Sequence, residues 1–550
     1  MNKSEKNLKN KETVSGKLFP AQRTAVEMLD VFVGVCEKYG LHYVLGEHTV
    51  LGAYEKQGFM PWTYGITVIM LLDEYEKFVK ISEDEFRDTP YYLMTNSNTE
   101  QFYDYFARMK KRSKVKLGDE RSKDEKYYDF HINIKVGFYA GNAKKEFVKM
   151  QKEYRTYLKC ANARKFAPDT LKWWKIRIKH LKRMYYIHKK QTYDFTQIKH
   201  TLYKYTKPTR YVYVPSAGKH RGVVIETKQY TERERCIFEG KEYYTVSNSK
   251  KYLEDFYGKN YRKGFKNKKI NQAQLEGPEI LRRVQLIELE LLIEFDRICR
   301  KNNIKYILGA GTALGAVRHK GFIPWDDDVD VFMLPEEYFK FIKVANDELE
   351  QEKFFLKTQE SDKDNNLAFV QLKRNGTKYM KGNREQFDTH PGILIDIFPF
   401  FNAPKTKFAH WKQDKVCKFY RTMLWSHMGI TSVKKLHSKI FYSILSRVPN
   451  KVAYDKFLKC ANKIQKPNDK LCYFFIKRNI FNNPITDRKT FEEIVEMEFE
   501  GHMFYMTKHW ERYLEYTFSK DYMLYPRLDQ RTQKHMPAIV DPGELYEFDE

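Results

Sequence analysis

Residues 306–341 read YILGAGTALGAVRHKGFIPWDDDVDVFMLPEEYFKF, and residues 43–78 read YVLGEHTVLGAYEKQGFMPWTYGITVIMLLDEYEKF. Over the twenty residues that end at Trp325 and Trp62, eleven are identical at an offset of 263. Immediately afterwards the copies part: Asp326, Asp327, Asp328 and Asp330 stand opposite Thr63, Tyr64, Gly65 and Thr67. Gln285 and Cys299 repeat Gln22 and Cys36 at the same offset, and residues 499–522 repeat 238–261 at an offset of 261. Anchors so far apart point to a repeated domain rather than a shared short motif. The five-residue echo LKCAN (158–162 and 458–462) breaks the offset and is treated as coincidence. The expected organisation is a polar leader over 1–20, a first domain over 21–262, a Gly-, Lys- and Asn-rich linker over 263–278, and a second domain over 279–550.

Local pattern places the acidic stretch. Val284, Ile287, Leu291, Phe295 and Ile298 recur with helical spacing, so a helix precedes it. Tyr306–Gly309 reads as a strand, Thr312–His319 as a short helix and Gly321–Pro324 as a turn. From Asp328 to Leu334 polar and apolar residues alternate, as in a strand with one buried face; Asp328 and Asp330 then project together and Asp327 to the other side. Adjacent carboxylates repel, and a divalent cation relieves them; hard oxygen ligands favour Mg2+ or Mn2+. Two other readings fail. Gly309, Gly311 and Gly315 miss the spacing of a dinucleotide fingerprint by one residue. Asp326, Asp328, Asp330 and Glu337 fit positions 1, 3, 5 and 12 of a calcium loop, but Val331 holds the place of its glycine.

A Gly-Thr turn after one strand and Asp-x-Asp on the next resembles the nucleotidyltransferase fold, which takes a third carboxylate from a later strand. Asp396, in the apolar run GILIDIFPF (392–400), supplies one. In the first copy Asn133 lies at the matching offset, and a local shift puts Ile134 or Lys135 there instead. GTALGAVRHKGFIPWDDDVD together with IDIFP resembles the LicD family, relatives of fukutin, across most of 279–550 and, degraded, most of 21–262. The resemblance implies an α+β architecture of two tandem nucleotidyltransferase-like domains, each a mixed β-sheet flanked by helices. It also implies transfer of a phospho-alcohol, such as phosphocholine or ribitol phosphate, from a CDP-activated donor to a glycan or lipid-linked glycan acceptor. By resemblance Asp328 and Asp330 are metal ligands, Asp396 is the third catalytic carboxylate and a further ligand, and Asp326 is an accessory ligand or substrate contact. Asp327 is expected to be structural.

Around these carboxylates a phosphate site needs backbone N–H groups and cations. Gly311 and Thr312 suit the first need; Arg318, His319, Lys320, Lys373 and Arg374 suit the second, with each as readily a surface charge except Arg318. The family's C-terminal pattern is matched by Tyr522, Pro526, Arg531 and His535, so Arg531 and His535, with Trp325, are candidates for the acceptor side. A lone histidine near a terminus is more often structural.

Composition sets the remaining bounds. No apolar run is long enough to span a bilayer, the N-terminus lacks a signal peptide's apolar stretch, and seven scattered cysteines form neither CxxC pairs nor a disulfide framework. These features suit a cytoplasmic protein, peripheral at most on the inner face of a membrane. Of the net charge of +27, residues 1–270 carry +23. Residues 151–200 hold 14 basic and 3 acidic side chains, with Lys175 and Arg177 beside Trp173 and Trp174. Such a face suits an anionic glycan or acidic bilayer; no recognised nucleic-acid module is present, so nucleic acid is not expected. Three functions fit: phospho-alcohol transfer with a pseudo-enzyme first domain, nucleotidyl transfer on the same fold, or a non-catalytic module that binds anionic glycan or membrane.

Overall fold

In a computed structural model of the protein, the described residues are 20–63, 65–95, 97–99, 106–112, 130–163, 195–215, 222–262, 278–380, 387–433, 436–475, 485–518, 520–525, 535 and 539–545. They divide into two compact units, the first within 20–262 and the second from 278 onward. Helices open at Pro20 and at Pro278, one residue before the expected domain starts. Proline suits a first helical position because its missing N–H would have no partner there. The leader but for Pro20 and the linker but for Pro278 lie outside the described residues.

The first unit begins with helix α1 (Pro20–Lys38), which buries Ala21, Gln22, Ala25, Met28, Leu29, Phe32, Val35 and Cys36 along one stripe. Strand β1 (Val44–Leu45), helix α2 (Glu47–Lys56), strand β2 (Ile66–Leu71), helix α3 (Leu72–Glu85) and strands β3 (Tyr91–Met94), β4 (Phe106–Lys111) and β5 (Phe130–Tyr139) follow. The sheet order is β1-β2-β5-β4-β3, extended from β5 by β6 (Tyr211–Val214) and β7 (Val223–Glu226). Only the β2–β5 pair is parallel.

The second unit repeats this plan. Helix α4 (Pro278–Lys301) precedes β8 (Ile307–Leu308), α5 (Ala310–His319), β9 (Asp330–Met333), α6 (Pro335–Glu348), β10 (Phe354–Lys357), β11 (Val370–Arg374) and β12 (Leu394–Pro399). The sheet order is β8-β9-β12-β11-β10, again with one parallel pair, β9–β12. Ile287, Leu291, Phe295 and Ile298 of α4 are fully buried, and each contributes about 1.5–3 kcal/mol by leaving water. Both units are thus mixed sheets flanked by helices, as expected of an α+β chain.

The repeat extends to individual hydrogen bonds. Gln285 Nε2 donates to the Asp326 carbonyl at 2.9 Å, and Gln22 Nε2 to the Thr63 carbonyl at 2.9 Å. Thr312 Oγ1 accepts from the Asp330 amide as Thr49 Oγ1 does from that of Thr67, both at 2.9 Å. Tyr513 and Tyr252 accept the first amide of α5 and of α2 at 2.9 Å, and Glu500 and Glu239 accept from Phe322 and Phe59. These last two pairs are related by the offset of 261. The frame that positions the site is therefore the same in both units, whatever side chains fill it.

One expected element differs. The strand begins at Asp330, not Asp328. Its neighbour β8 is only two residues long and pairs with Val331 and Phe332, because the chain turns into α5 straight after Gly309. Residues 326–329 have no strand on that side and are free of the strand's strict alternation.

Candidate active site of the second unit

On β9 and β12, Asp330 and Asp396 are register partners in the parallel pair, so their side chains rise from the same face of the sheet. Gln371, the partner of Asp396 on β11, donates from Nε2 to Asp396 Oδ1 at 2.7 Å. That bond orients the carboxylate. Asp326 and Asp327 are buried, Asp328 and Asp330 partly so. Gly311, in the first turn of α5, lies so close to Asp326 that a β-carbon there would sit 2.5 Å from Oδ2. Glycine at 311 thus serves the carboxylate by leaving room for it, rather than by adopting an unusual backbone.

Asp327 departs from expectation. Because it precedes the strand, it does not turn to the opposite side: its carboxylate accepts from Tyr379 Oη at 2.9 Å and from both the amide and Nδ1 of His535 at 3.2 Å. His535 Nδ1 also lies 3.6 Å from Asp328 Oδ2. Asp327, Asp328 and His535 form the one group of metal-capable ligands found within 4.8 Å of one another among the described residues. Burial alone would raise the Asp327 pKa, but the His535 and Tyr379 contacts outweigh it and hold the carboxyl below its ordinary value.

Sequence reasoning missed Glu288. It sits on the buried stripe of α4 at 2% exposure, with Oε2 making no hydrogen bond. Burial first, then the charges of Asp328, Asp327, Asp326 and Asp396, hold its pKa well above the carboxylate range. The signal was available: the residue 263 positions earlier is Ala25, buried on the same stripe of α1.

The remaining expected residues are placed as follows. Thr312 is buried and ties α5 to Asp330. Arg318 donates to the Tyr522 and Leu524 carbonyls and lies over the Tyr525 ring, 4.8 Å from its centroid. His319 is buried between the rings of Trp325 and Tyr525, and Trp325 is itself 5% exposed. Lys320 takes the left-handed cap of α5 and pairs with Glu498 at 2.9 Å. Lys373 Nζ, buried, donates to the carbonyls of His390 and Gly392, and Arg374 pairs with Glu290 at 3.0 Å. The structure brings Asp326, Asp327, Asp328, Asp330, Asp396, Glu288 and His535 into one neighbourhood, with Lys373 and Arg374 engaged by partners of their own. Arg531, Lys175 and Arg177 lie outside the described residues, as does the whole stretch 164–194.

At the equivalent face of the first unit the register settles the alignment. Thr67 pairs with Asn133, so Asn133 and not Lys135 stands where Asp396 does. Arg108, the partner of Asn133 on β4, replaces Gln371, and Gly311 is replaced by His48. Lys135 is 5% exposed, lies 3.8 Å from Glu47 Oε1 and rests over Phe106, 3.9 Å from the ring centroid. Cations now occupy the face from which carboxylates rise in the second unit, an arrangement that repels a divalent metal.

The comparisons agree with this geometry. The model of the family described as LicD/FKTN/FKRP, nucleotidyltransferase domain, matches residues 40–149 and again 303–442. Two separate regions of the chain thus match the LicD family. It is 27% identical over 274 residues to the lipopolysaccharide cholinephosphotransferase LicD of Haemophilus influenzae, a match that covers 47% of this chain and 98% of that protein. Uncharacterized proteins of Rickettsia typhi and Rickettsia prowazekii are each 37% identical, over 75 and 71 residues, about a quarter of their length. The two LicD-family regions contain the second sheet and strands β1–β5 of the first. No helix among the described residues is long and apolar enough to cross a membrane.

Proposed function

We propose that the second unit transfers a phospho-alcohol, phosphocholine or a polyol phosphate, from a CDP-activated donor to a hydroxyl of a cell-surface glycan or its lipid-linked precursor. We take the first unit to be non-catalytic. The observation that carries this reading is the register pair Asp330–Asp396 with Asp326, Asp327, Asp328 and His535 around it, set against Thr67, Asn133, Arg108 and Lys135 in the first unit. The relative in H. influenzae is named for cholinephosphate transfer to lipopolysaccharide, which supports the reaction class.

The residues fit a divalent cation. Burial, then the charges of Asp328, Asp327, Asp326 and Asp396, raise the Glu288 pKa, and these carboxylates offer the hard oxygens that Mg2+ and Mn2+ prefer. Asp328, Asp330 and Asp396, with Asp326, would hold the ion, which would supply stabilisation of charge on the phosphoryl oxygens. This chain's own residues do the rest. Asp396, oriented by Gln371, takes the proton of the acceptor hydroxyl. The hydroxyl oxygen forms a bond to the phosphorus that bears the alcohol, and the bond from that phosphorus to the bridging oxygen breaks, releasing CMP. The Gly311 and Thr312 amides, in the first turn of α5, would face the phosphates. His535, held by Asp327, lies beside the group for proton movement at Nδ1.

Incubating the protein with CDP-choline or CDP-ribitol, Mg2+ and a glycan acceptor should release CMP and add the phospho-alcohol to the acceptor. Release of pyrophosphate from CTP and an alcohol phosphate, without CMP, would replace this reading with nucleotidyl transfer. No turnover of either kind would leave a binding module.

A further inference from the structure

Beyond the sheet, the second unit carries a run of helices, α7 (Lys407–Leu424), α8 (Ser426–Ser432), α9 (Leu436–Leu445) and α10 (Asn450–Ala461). They leave unusual side chains in water. Eighteen large hydrophobic residues are exposed among the described residues, and ten fall between 408 and 452. Phe408 is 71% exposed, Leu436 73% and Ile444 58%. Their order is helical. Phe408, Trp411 and Phe419 share the outer face of α7, while its inner face buries His410, Gln413 and Cys417. Leu436, Ile440 and Ile444 recur every fourth residue on α9. The rings of Phe408 and Trp411 stack at 5.9 Å, and Lys415 Nζ lies 5.7 Å from the Trp411 centroid. Scattered exposed apolar residues are ordinary, but a concentration this dense marks a covered surface.

Charge decides what covers it. Residues 405–466 hold 15 Lys and Arg against two acids, Asp414 and Asp455, although the half-chain 271–550 has a net charge of only +4. A second copy of this surface would meet its own excess of cations. A polyanion in solution would pair with the lysines but give nothing to Leu436, Ile440 and Ile444. An anionic bilayer offers headgroup phosphates and acyl chains at once. The ten residues of α9 reach about 15 Å, half a hydrocarbon core, so the helices lie in the interface rather than through it.

We infer that α7 and α9 form an interfacial docking surface for an anionic phospholipid membrane, with Phe408, Trp411, Phe419, Leu436, Ile440 and Ile444 entering the headgroup boundary among lysines. The inference is independent of the reaction proposed above and of the basic stretch 172–190. It would place the second unit where a lipid-linked acceptor is found.

The test is partitioning of the full chain onto vesicles of phosphatidylglycerol and of phosphatidylcholine, across a salt series. The protein should bind the anionic vesicles, and Trp411 should shift its emission to the blue; Trp411→Phe should lose most of that shift. Combined Phe408→Ser, Phe419→Ser, Leu436→Ser and Ile440→Ser should weaken binding about tenfold or more. Separately, Lys412→Glu with Lys415→Glu should weaken it chiefly at low salt. Both variants keep exposed positions exposed and should retain the parent's melting temperature and its CMP release with a water-soluble acceptor. Equal binding to both vesicle types, or a quadruple serine variant that binds as the parent does, would overturn the inference. So would a parent that is dimeric by sedimentation while the serine variant is monomeric, since a second copy would then be the occupant. Loss of CMP release in the parent would refute the proposed reaction without touching the docking result.

Discussion

Asp330 and Asp396 meet because two short parallel strands put them in register, and Gln371 fixes the direction of the second. Asp330→Asn or Asp396→Asn should lower kcat by about a thousandfold or more, the several kcal/mol expected of a lost metal ligand. Folding should survive, because easing repulsion among neighbouring carboxylates costs the apo fold nothing. Near-normal turnover at saturating Mg2+ would place the chemistry elsewhere. Glu288 gives a different expectation. Glu288→Gln keeps the volume of the side chain, so the melting temperature should hold, while Mg2+ affinity by calorimetry should fall about tenfold, as for other groups that back metal ligands. The sequence disclosed Asp328, Asp330 and Asp396 because a carboxylate inside an apolar strand is conspicuous. It hid Glu288 because a glutamate on a helix is ordinary until the partner strip on α1 shows alanine in the same place.

Among the elements, β11 and the loop before β12 show how closely the sheet edge is tied. His390 accepts from the Gly392 amide at Nδ1 and faces Asn375 Oδ1 with Nε2, both near 3 Å, with its ring stacked on Phe355. That pattern fixes a neutral tautomer. Burial, then the charge of Lys373, lowers its pKa to about 4. A depressed histidine is uncharged in the fold but charged in the unfolded chain below pH 6.5. Stability should therefore fall as pH drops from about 6.5 towards 4, by roughly 1–2 kcal/mol once partial exposure is allowed for. His390→Gln should flatten that limb of a urea-denaturation profile; an unchanged limb would assign it to another group. The helix-strand-helix order around Asp330 was legible from periodicity. The strand's first residue was not, because it depends on how many residues its neighbour β8 contributes.

For the molecule as a whole, one chain carries two copies of one frame with opposite charge on equivalent faces. Mg2+ or Mn2+ should raise the melting temperature of the parent, and Asp330→Asn with Asp396→Asn should remove all of that rise. A residual rise in the double variant would mean that Asp327, Asp328 and His535 still take metal, or that the first unit does despite Arg108 and Lys135. The duplication was visible in the sequence at offsets of 263 and 261, and the loss of acids at the first of them. The basic, apolar helices 407–461 were not, because the near-neutral total of the second half conceals them. Net charge is a sum, and this half contains both an acidic crevice and a strongly basic surface.

The frame's hydrogen bonds have a consequence for engineering. Gln22, Thr49 and Tyr252 still brace the first unit with the bonds that Gln285, Thr312 and Tyr513 make in the second. The first unit therefore keeps the brackets of the second without its carboxylates. Grafting Thr63→Asp, Gly65→Asp, Thr67→Asp and Asn133→Asp, with His48→Gly for clearance and Lys135→Phe to remove the opposing cation, should rebuild a lanthanide-binding centre there. Terbium luminescence sensitised by Trp62 would report it.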